Sequence, residues 1–247
     1  MFVNFSEIPQ KSAVGRILRL PLRILPKGMV VPILQGRLRG KEWVVGSANN
    51  GCWLGSYEYE TQRAFARAVK EGFTVFDVGA QAGFYTLLAS DLVGAKGKVV
   101  AFEPVPRNLR YLKEHLRRNA VVNVSVVEAA VSDHSGFAFF AEDEKLTEGR
   151  LAVGGRLRVR TVSLDELVCG GELPPPDCIK MDIQGGEVPA LRGAVSILSE
   201  RGPIIFLETH GDEIHRECCR LLASLRYQLA PVGEASLDRA NHIVAFR

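Results

Sequence analysis

A chain of 247 residues is long enough for one large domain with its own core and marginal for two. Apolar residues make up 47% and charged residues 24%, which excludes a disordered or low-complexity chain, and no fixed-period repeat is present. The net charge of +3 is too small to imply a nucleic-acid partner.

The charge is unevenly spread. Residues 1–41 carry Lys11, Arg16, Arg19, Arg23, Lys27, Arg37, Arg39 and Lys41 against Glu7 alone, a local +7 that leaves −4 for the rest. Such a basic arm reads as a solvated or oligomer-packing segment, as in a homodimer, with contact to an anionic membrane surface or substrate as the sharper alternative. Its most apolar stretch, 14–25, is cut by Arg16, Arg19, Pro21 and Arg23, so it neither spans a bilayer nor serves as a signal-peptide core. The expected location is the cytoplasm. Five cysteines (Cys52, Cys169, Cys178, Cys218 and Cys219) are odd in number and lack metal-ligand spacing. Cys218 falls on an apolar helical stripe with Ile214, Leu221, Leu222 and Leu225 and is expected in the core.

In chain order, residues 1–56 are irregular in pattern and rich in Gly, Pro and Arg, an N-terminal arm or cap before a domain over 57–247. Residues 57–70 have helical periodicity, stopped by Gly72. Strands and helices then alternate: a buried strand over 73–78, a helix over 84–93, a strand over 98–103, a helix over 107–119 and a third strand over 124–131. Two extra strands, 137–141 and 157–164, flank a charged loop over 142–156, the expected acceptor-specificity insert. A strand over 178–183, a helix over 188–199, a strand over 204–209 and a helix over 212–225 follow, and strands over 227–232 and 242–246 close the chain. Short apolar runs between amphipathic helices predict an α/β fold, Rossmann-like, with a mostly parallel sheet. The connection 233–241 is too short for a helical crossover, so the last strand is expected to be antiparallel.

The first core strand ends at Asp77, followed by Val-Gly79-Ala80-Gln81-Ala-Gly83 and a helix that opens with Phe84 and Tyr85. Glycines there permit a tight turn and close approach of a ligand to backbone and helix N-terminus. Glu103 stands 20 residues after Gly83 at the end of the next strand, where an acid accepts hydrogen bonds from ribose hydroxyls. Glu128, Ala129 and Ala130 end the third strand, placed to border an adenine edge. The glycine spacing is G-x-x-x-G rather than the G-x-G-x-x-G of a dinucleotide site, and Asp77 would repel a pyrophosphate. It suits the ammonium of a methionine moiety, so S-adenosylmethionine is the expected cofactor. A nicotinamide-dependent oxidoreductase and a binding module that keeps the fold without catalysis are the competing readings.

The set Asp77-Val-Gly-Ala-Gln-Ala-Gly-Phe-Tyr-Thr86, Phe102-Glu-Pro104, Asn108, Asn119, Ile179-Lys-Met-Asp-Ile-Gln-Gly185 with Glu187, and Leu207-Glu-Thr-His210 resembles the FkbM family of class I methyltransferases. The resemblance runs from about Tyr57 to His210. It implies a seven-stranded sheet with an antiparallel last strand, S-adenosylmethionine as donor, and O-methylation of a small molecule such as a sugar or polyketide. Pro104 and Asn108 join the cofactor set on this basis. The sequence departs from the family pattern at Gln81, where Asn is usual, and at Gln184, where Glu is usual.

On the acceptor side, Asp182 ends the fourth core strand and Glu208 and His210 the fifth, with Glu208 and His210 sharing a face. His210 is the candidate general base by its ordinary pKa of about 6.5. Asp182 is a candidate base or cofactor contact, and Glu187 a helix-N-terminal acid. The Asp-Asn pair that catechol-type enzymes place after the fifth strand is absent, so no metal is expected. The expected partner is a small-molecule or glycan acceptor.

Overall fold

Runs of β-branched and aromatic residues bounded by glycine turns build the centre of the molecule, a seven-stranded sheet. The computed structural model describes residues 25–142, 149–151, 157–233 and 236–247. The arm before residue 25, with Lys11, Arg16, Arg19 and Arg23, and most of the 142–156 loop lie outside them.

The elements in chain order are β1 (Val30–Pro32), β2 (Glu42–Val44), α1 (Asn50–Leu54), α2 (Tyr59–Ala68), β3 (Thr74–Val78), α3 (Phe84–Val93), β4 (Lys98–Phe102), α4 (Pro106–Arg118), β5 (Val124–Val127), β6 (Ala130–Val131), β7 (Gly136–Glu142), β8 (Gly149–Leu151), β9 (Leu157–Val162), α5 (Leu164–Cys169), β10 (Cys178–Met181), α6 (Glu187–Arg192), α7 (Val195–Glu200), β11 (Ile204–Glu208), α8 (Asp212–Ser224), β12 (Gln228–Pro231) and β13 (His242–Phe246). The main sheet has the order β12-β13-β11-β10-β3-β4-β5. Its strands are parallel except β13, which runs antiparallel to both β11 and β12. The expected antiparallel ending is therefore present.

Alternation along each strand splits the core into two layers. Phe76, Val78, Val100, Phe102 and Ile179 face α5, α6, α7 and α8, with Cys218 and Leu222 of α8 in that layer as the helical stripe predicts. Val75, Val99, Ala101 and Phe206 face α2, α3 and α4. The chain leaves the sheet centre through β3, β4 and β5 and returns at β10 beside β3. That reversal opens a crevice at the C-terminal ends of β3 and β10, where an α/β sheet receives its ligand.

Four local expectations are corrected. The strand expected over 124–131 is two strands: β5 closes the main sheet, and β6 pairs with β9 in a separate four-stranded sheet ordered β6-β9-β7-β8. The helix expected over 188–199 is interrupted at Gly193, where a side chain would meet the Ser132 carbonyl oxygen at 2.1 Å. The strand expected over 157–164 ends at Val162, and Ser163 caps α5, a helix too short for its periodicity to stand out. Within the segment read as irregular, β1 and β2 form an antiparallel hairpin. Trp43, Cys52, Trp53 and Leu54 share a core layer with α3.

Candidate active site at the β3–β10 crevice

The turn after β3 is held by backbone geometry. Gly79 has φ 86°, and a Cβ there would stand 1.9 Å from the Asp182 carbonyl oxygen. Its amide and that of Ala80 both donate to the Phe102 carbonyl at 3.0 Å. Gly83, at φ 94°, caps α3 against the Leu112 side chain. Gly79 is thus required by the packing of the strand ends and Gly83 by its left-handed backbone, and both leave backbone open to a ligand. Gln81 takes the left-handed conformation, φ 50°.

Two buried acids flank this turn. Asp77 accepts a hydrogen bond from Thr86 Oγ1 at 2.5 Å, and burial lifts its carboxyl to about 6. Glu103 accepts from the Gln81 and Val105 amides at 2.8 Å each and from Asn108 Nδ2 at 3.3 Å. Burial nevertheless pushes it to about 7 against those three donors. Asn108 is thus joined to Glu103, and Pro104 lies between Glu103 and the start of α4. The three residues expected beside an adenine separate: Glu128 is exposed and pairs with Lys113 at 2.6 Å, Ala129 is fully buried, and Ala130 belongs to β6.

Tyr57, Asp77, Gly79, Ala80, Gln81, Phe84, Tyr85, Lys180 and Asp182 line one cavity. The aromatic wall is interlocked, with the Tyr57 ring edge-on to Phe84 at 5.6 Å and to Tyr85 at 6.3 Å. Trp53, by contrast, is a packing residue whose indole donates to Asn50.

Beyond Asp182 the ends of β10, β11 and β13 bring a second group together. Glu187, fully buried, accepts from the Gly185 amide at 3.0 Å and from His210 Nδ1 at 2.8 Å. It does lie at the start of α6, but its further partner is the imidazole. With Nδ1–H donating to that carboxylate, His210 Nε2 is left facing Asp182 Oδ1 at 3.7 Å and Glu208 Oε1 at 3.8 Å. Burial works against protonation of His210, but the Glu187 hydrogen bond and the charges of Asp182 and Glu208 outweigh it and raise its pKa. Burial and the neighbouring Asp182 and Glu58 carboxylates lift Glu208 to about 8. Thr209 turns to the opposite face and meets His215, as the strand alternation requires. The unusual Gln184, at φ 54°, donates its amide to Asp182 Oδ1 at 3.3 Å.

Three further residues meet in this region. His242 lies opposite Glu208 in the antiparallel β11–β13 register, with Nε2 3.6 Å from its carboxylate; sequence distance hides such a pairing. Glu58, just before α2, accepts from Tyr85 OH at 2.9 Å and stands 3.9 Å from Lys180 Nζ. Lys180 left a legible signal, a cation inside the apolar strand Cys-Ile-Lys-Met. Among the described residues, donor atoms of Asp182, Glu208 and His210, and those of Glu58, Glu208 and His242, lie within 4.8 Å of one another, a spacing that could also hold a metal ion.

The comparisons agree with this architecture. The chain matches the family model described as the methyltransferase FkbM domain over residues 77–229. It is 28% identical over 171 residues to the hexuronic acid methyltransferase AglP of Haloferax volcanii, covering 68% of this chain and 69% of that protein. Its fold matches the crystal structure of methyltransferase FkbM from Methylobacillus flagellatus KT with a TM-score of 0.54 at 18% identity, covering 81% of this chain and 56% of the other. Matched to the family model over more than half its length, the chain belongs to the FkbM methyltransferases.

Proposed function

We propose that the protein transfers a methyl group from S-adenosylmethionine to a hydroxyl of a sugar acid or related glycan precursor. The observation that carries this reading is the position of the Glu187–His210 pair beside Asp182, at the edge of the β3–β10 crevice. Asp77, the turn from Gly79 to Gly83 and Glu103 form the cofactor side. Asp182, Glu208 and His210 form the acceptor side. The hexuronic acid methyltransferase among the relatives supports an acid sugar as substrate class.

The sulfonium is already activated, so the chain mainly aligns the acceptor oxygen and excludes water. That oxygen attacks the methyl carbon, the carbon–sulfur bond breaks, and the hydroxyl proton passes to His210 Nε2. The sulfur leaves as neutral S-adenosylhomocysteine. Asp182 and Glu208 accept hydrogen bonds from neighbouring hydroxyls and stabilise the imidazolium that forms. In this reading a shared proton, rather than a metal, relieves the crowding of Asp182 and Glu208.

The test is transfer of labelled methyl from S-adenosylmethionine to free or nucleotide-linked hexuronic acids. Transfer is expected to persist in EDTA. His210→Ala is expected to lower kcat about 100-fold while cofactor affinity changes little. A variant that keeps full turnover would remove His210 as the base. Absence of S-adenosylmethionine binding would sink the whole reading.

A further inference from the structure

Lys180 sits in β10 with 2% exposure, and its ammonium has no hydrogen-bond partner among the described residues. Three N–H donors are thus buried and unused, which is costly unless something arrives to take them. The nearest acid oxygen, Glu58 Oε2, is 3.9 Å away, beyond hydrogen-bond reach, and already accepts from Tyr85. The Tyr85 ring lies 4.9 Å from Nζ. Burial opposes the charge, but Glu58, Asp182, Glu208 and Asp77 outweigh it and keep the lysine protonated.

Its place in the sheet matters as much as its lack of partners. Lys180 and Asp77 are Cα partners across the parallel β10–β3 pair. In-register residues on adjacent strands point to the same face of the sheet, about 5 Å apart. Both line the cavity walled by Tyr57, Tyr85 and the Gly79–Gln81 turn. The floor of that cavity therefore offers a fixed anion beside a fixed cation. Their nearest polar partners, Thr86 for Asp77 and Glu58 for Lys180, leave the two unpaired with each other. An α-amino acid carries the complementary pair, an ammonium and a carboxylate on one carbon.

We propose that Lys180 binds the α-carboxylate of the cofactor's methionine moiety while Asp77 faces its α-ammonium. The cavity thereby recognises an amino-acid zwitterion, in addition to the nucleoside contacts assigned to Glu103 and the turn. This rests on S-adenosylmethionine being the cofactor. An acceptor carboxylate suits the position less well. The acceptor hydroxyl is placed past Asp182, at Glu208 and His210, which do not line this cavity.

The test is calorimetric titration of the full chain with S-adenosylmethionine and with its decarboxylated form, which keeps the amine and the nucleoside. The wild type is expected to prefer the intact cofactor at least tenfold. Lys180→Met, nearly isosteric, is expected to bring that ratio close to one, mainly by weakening the intact cofactor. A wild-type ratio near one overturns the proposal without any variant, and so does a ratio that survives in a folded Lys180→Met protein. Failure of the wild type to bind either compound defeats the cofactor reading itself, which separates the two outcomes.

Discussion

In the proposed reading, Asp77 gives up stability for cofactor binding. Its carboxyl has a folded pKa of about 6 against an ordinary value of 3.8 because burial disfavours the charge. An acid raised on folding binds its proton more tightly in the native state, so stability falls as pH rises from about 4 through about 6. Asp77→Asn keeps an oxygen for the Thr86 hydroxyl and removes the charge. The cofactor-free variant is expected to melt a few degrees above wild type at pH 8, with the difference vanishing near pH 4. Its affinity for S-adenosylmethionine should drop. A variant that melts lower than wild type at pH 8 would contradict the assigned cost. His210 makes the opposite case, since Glu187, Asp182 and Glu208 raise its pKa despite burial and the nearby His242. A base must be deprotonated to act, so kcat/KM is expected to fall as pH drops through a midpoint above the ordinary histidine value. In Glu187→Gln that midpoint should move down as turnover falls, because the hydrogen-bonded carboxylate no longer favours the imidazolium. A lowered rate with an unmoved midpoint would leave Glu187 a merely structural role.

At the scale of elements, the β1–β2 hairpin is fastened to the turn after β3 through one side chain. His115 of α4 is fully buried and stacks on Trp43 at 3.9 Å between ring centroids. Its Nε2 accepts from the Val44 amide at 3.0 Å, which requires the neutral ring to carry its proton on Nδ1. Nδ1 donates to the Ala82 carbonyl at 2.7 Å, inside the turn that begins at Gly79. Burial lowers the imidazole to about 4, so it stays neutral through the physiological range. His115→Ala strands one amide and one carbonyl and opens a cavity. The expected loss is about 2–6 kcal/mol, counting about 1–3 kcal/mol for each of the two buried polar groups left unmade. Urea unfolding measures it, and a loss under 1 kcal/mol would mean the hairpin is not held this way. Asn119 supports the same junction, accepting from the Glu42 amide and donating to its carbonyl.

For the molecule as a whole, cofactor binding and folding are linked, because the site exists only where β3, β10 and β11 end together. A ligand that binds the native state alone stabilises it by about 2.7 kcal/mol at one hundred times its Kd. For a domain of this size that is a rise in Tm of about 5–10 °C. S-adenosylhomocysteine is expected to produce it and a nicotinamide dinucleotide is not. Equal shifts from both would reopen the oxidoreductase reading.

Much of this architecture was legible in the chain itself. Alternating periodicity placed the central strands and helices because each element is long enough to show its own period. The short 233–241 connection determined the antiparallel ending, since no crossover helix fits there. Asp77, Gly79, Gly83 and Glu103 were readable because the turn and the next strand end lie close in sequence. Other features needed the tertiary structure. Nothing in residues 124–131 says that the chain changes sheets after Val127, a choice made by pairing with β9 some thirty residues later. The hairpin over 30–44 lacks a long periodic run, and its burial comes from packing against α3 and α4. The acceptor cluster is the clearest case. Glu58, Lys180, Glu187, Glu208, His210 and His242 are spread over nearly 190 residues and meet only because the ends of β10, β11 and β13 and the starts of α2 and α6 converge. Sequence determines what each residue can donate, accept or carry, whereas the fold decides which charges are buried together and which, like Lys180, are left waiting for a partner.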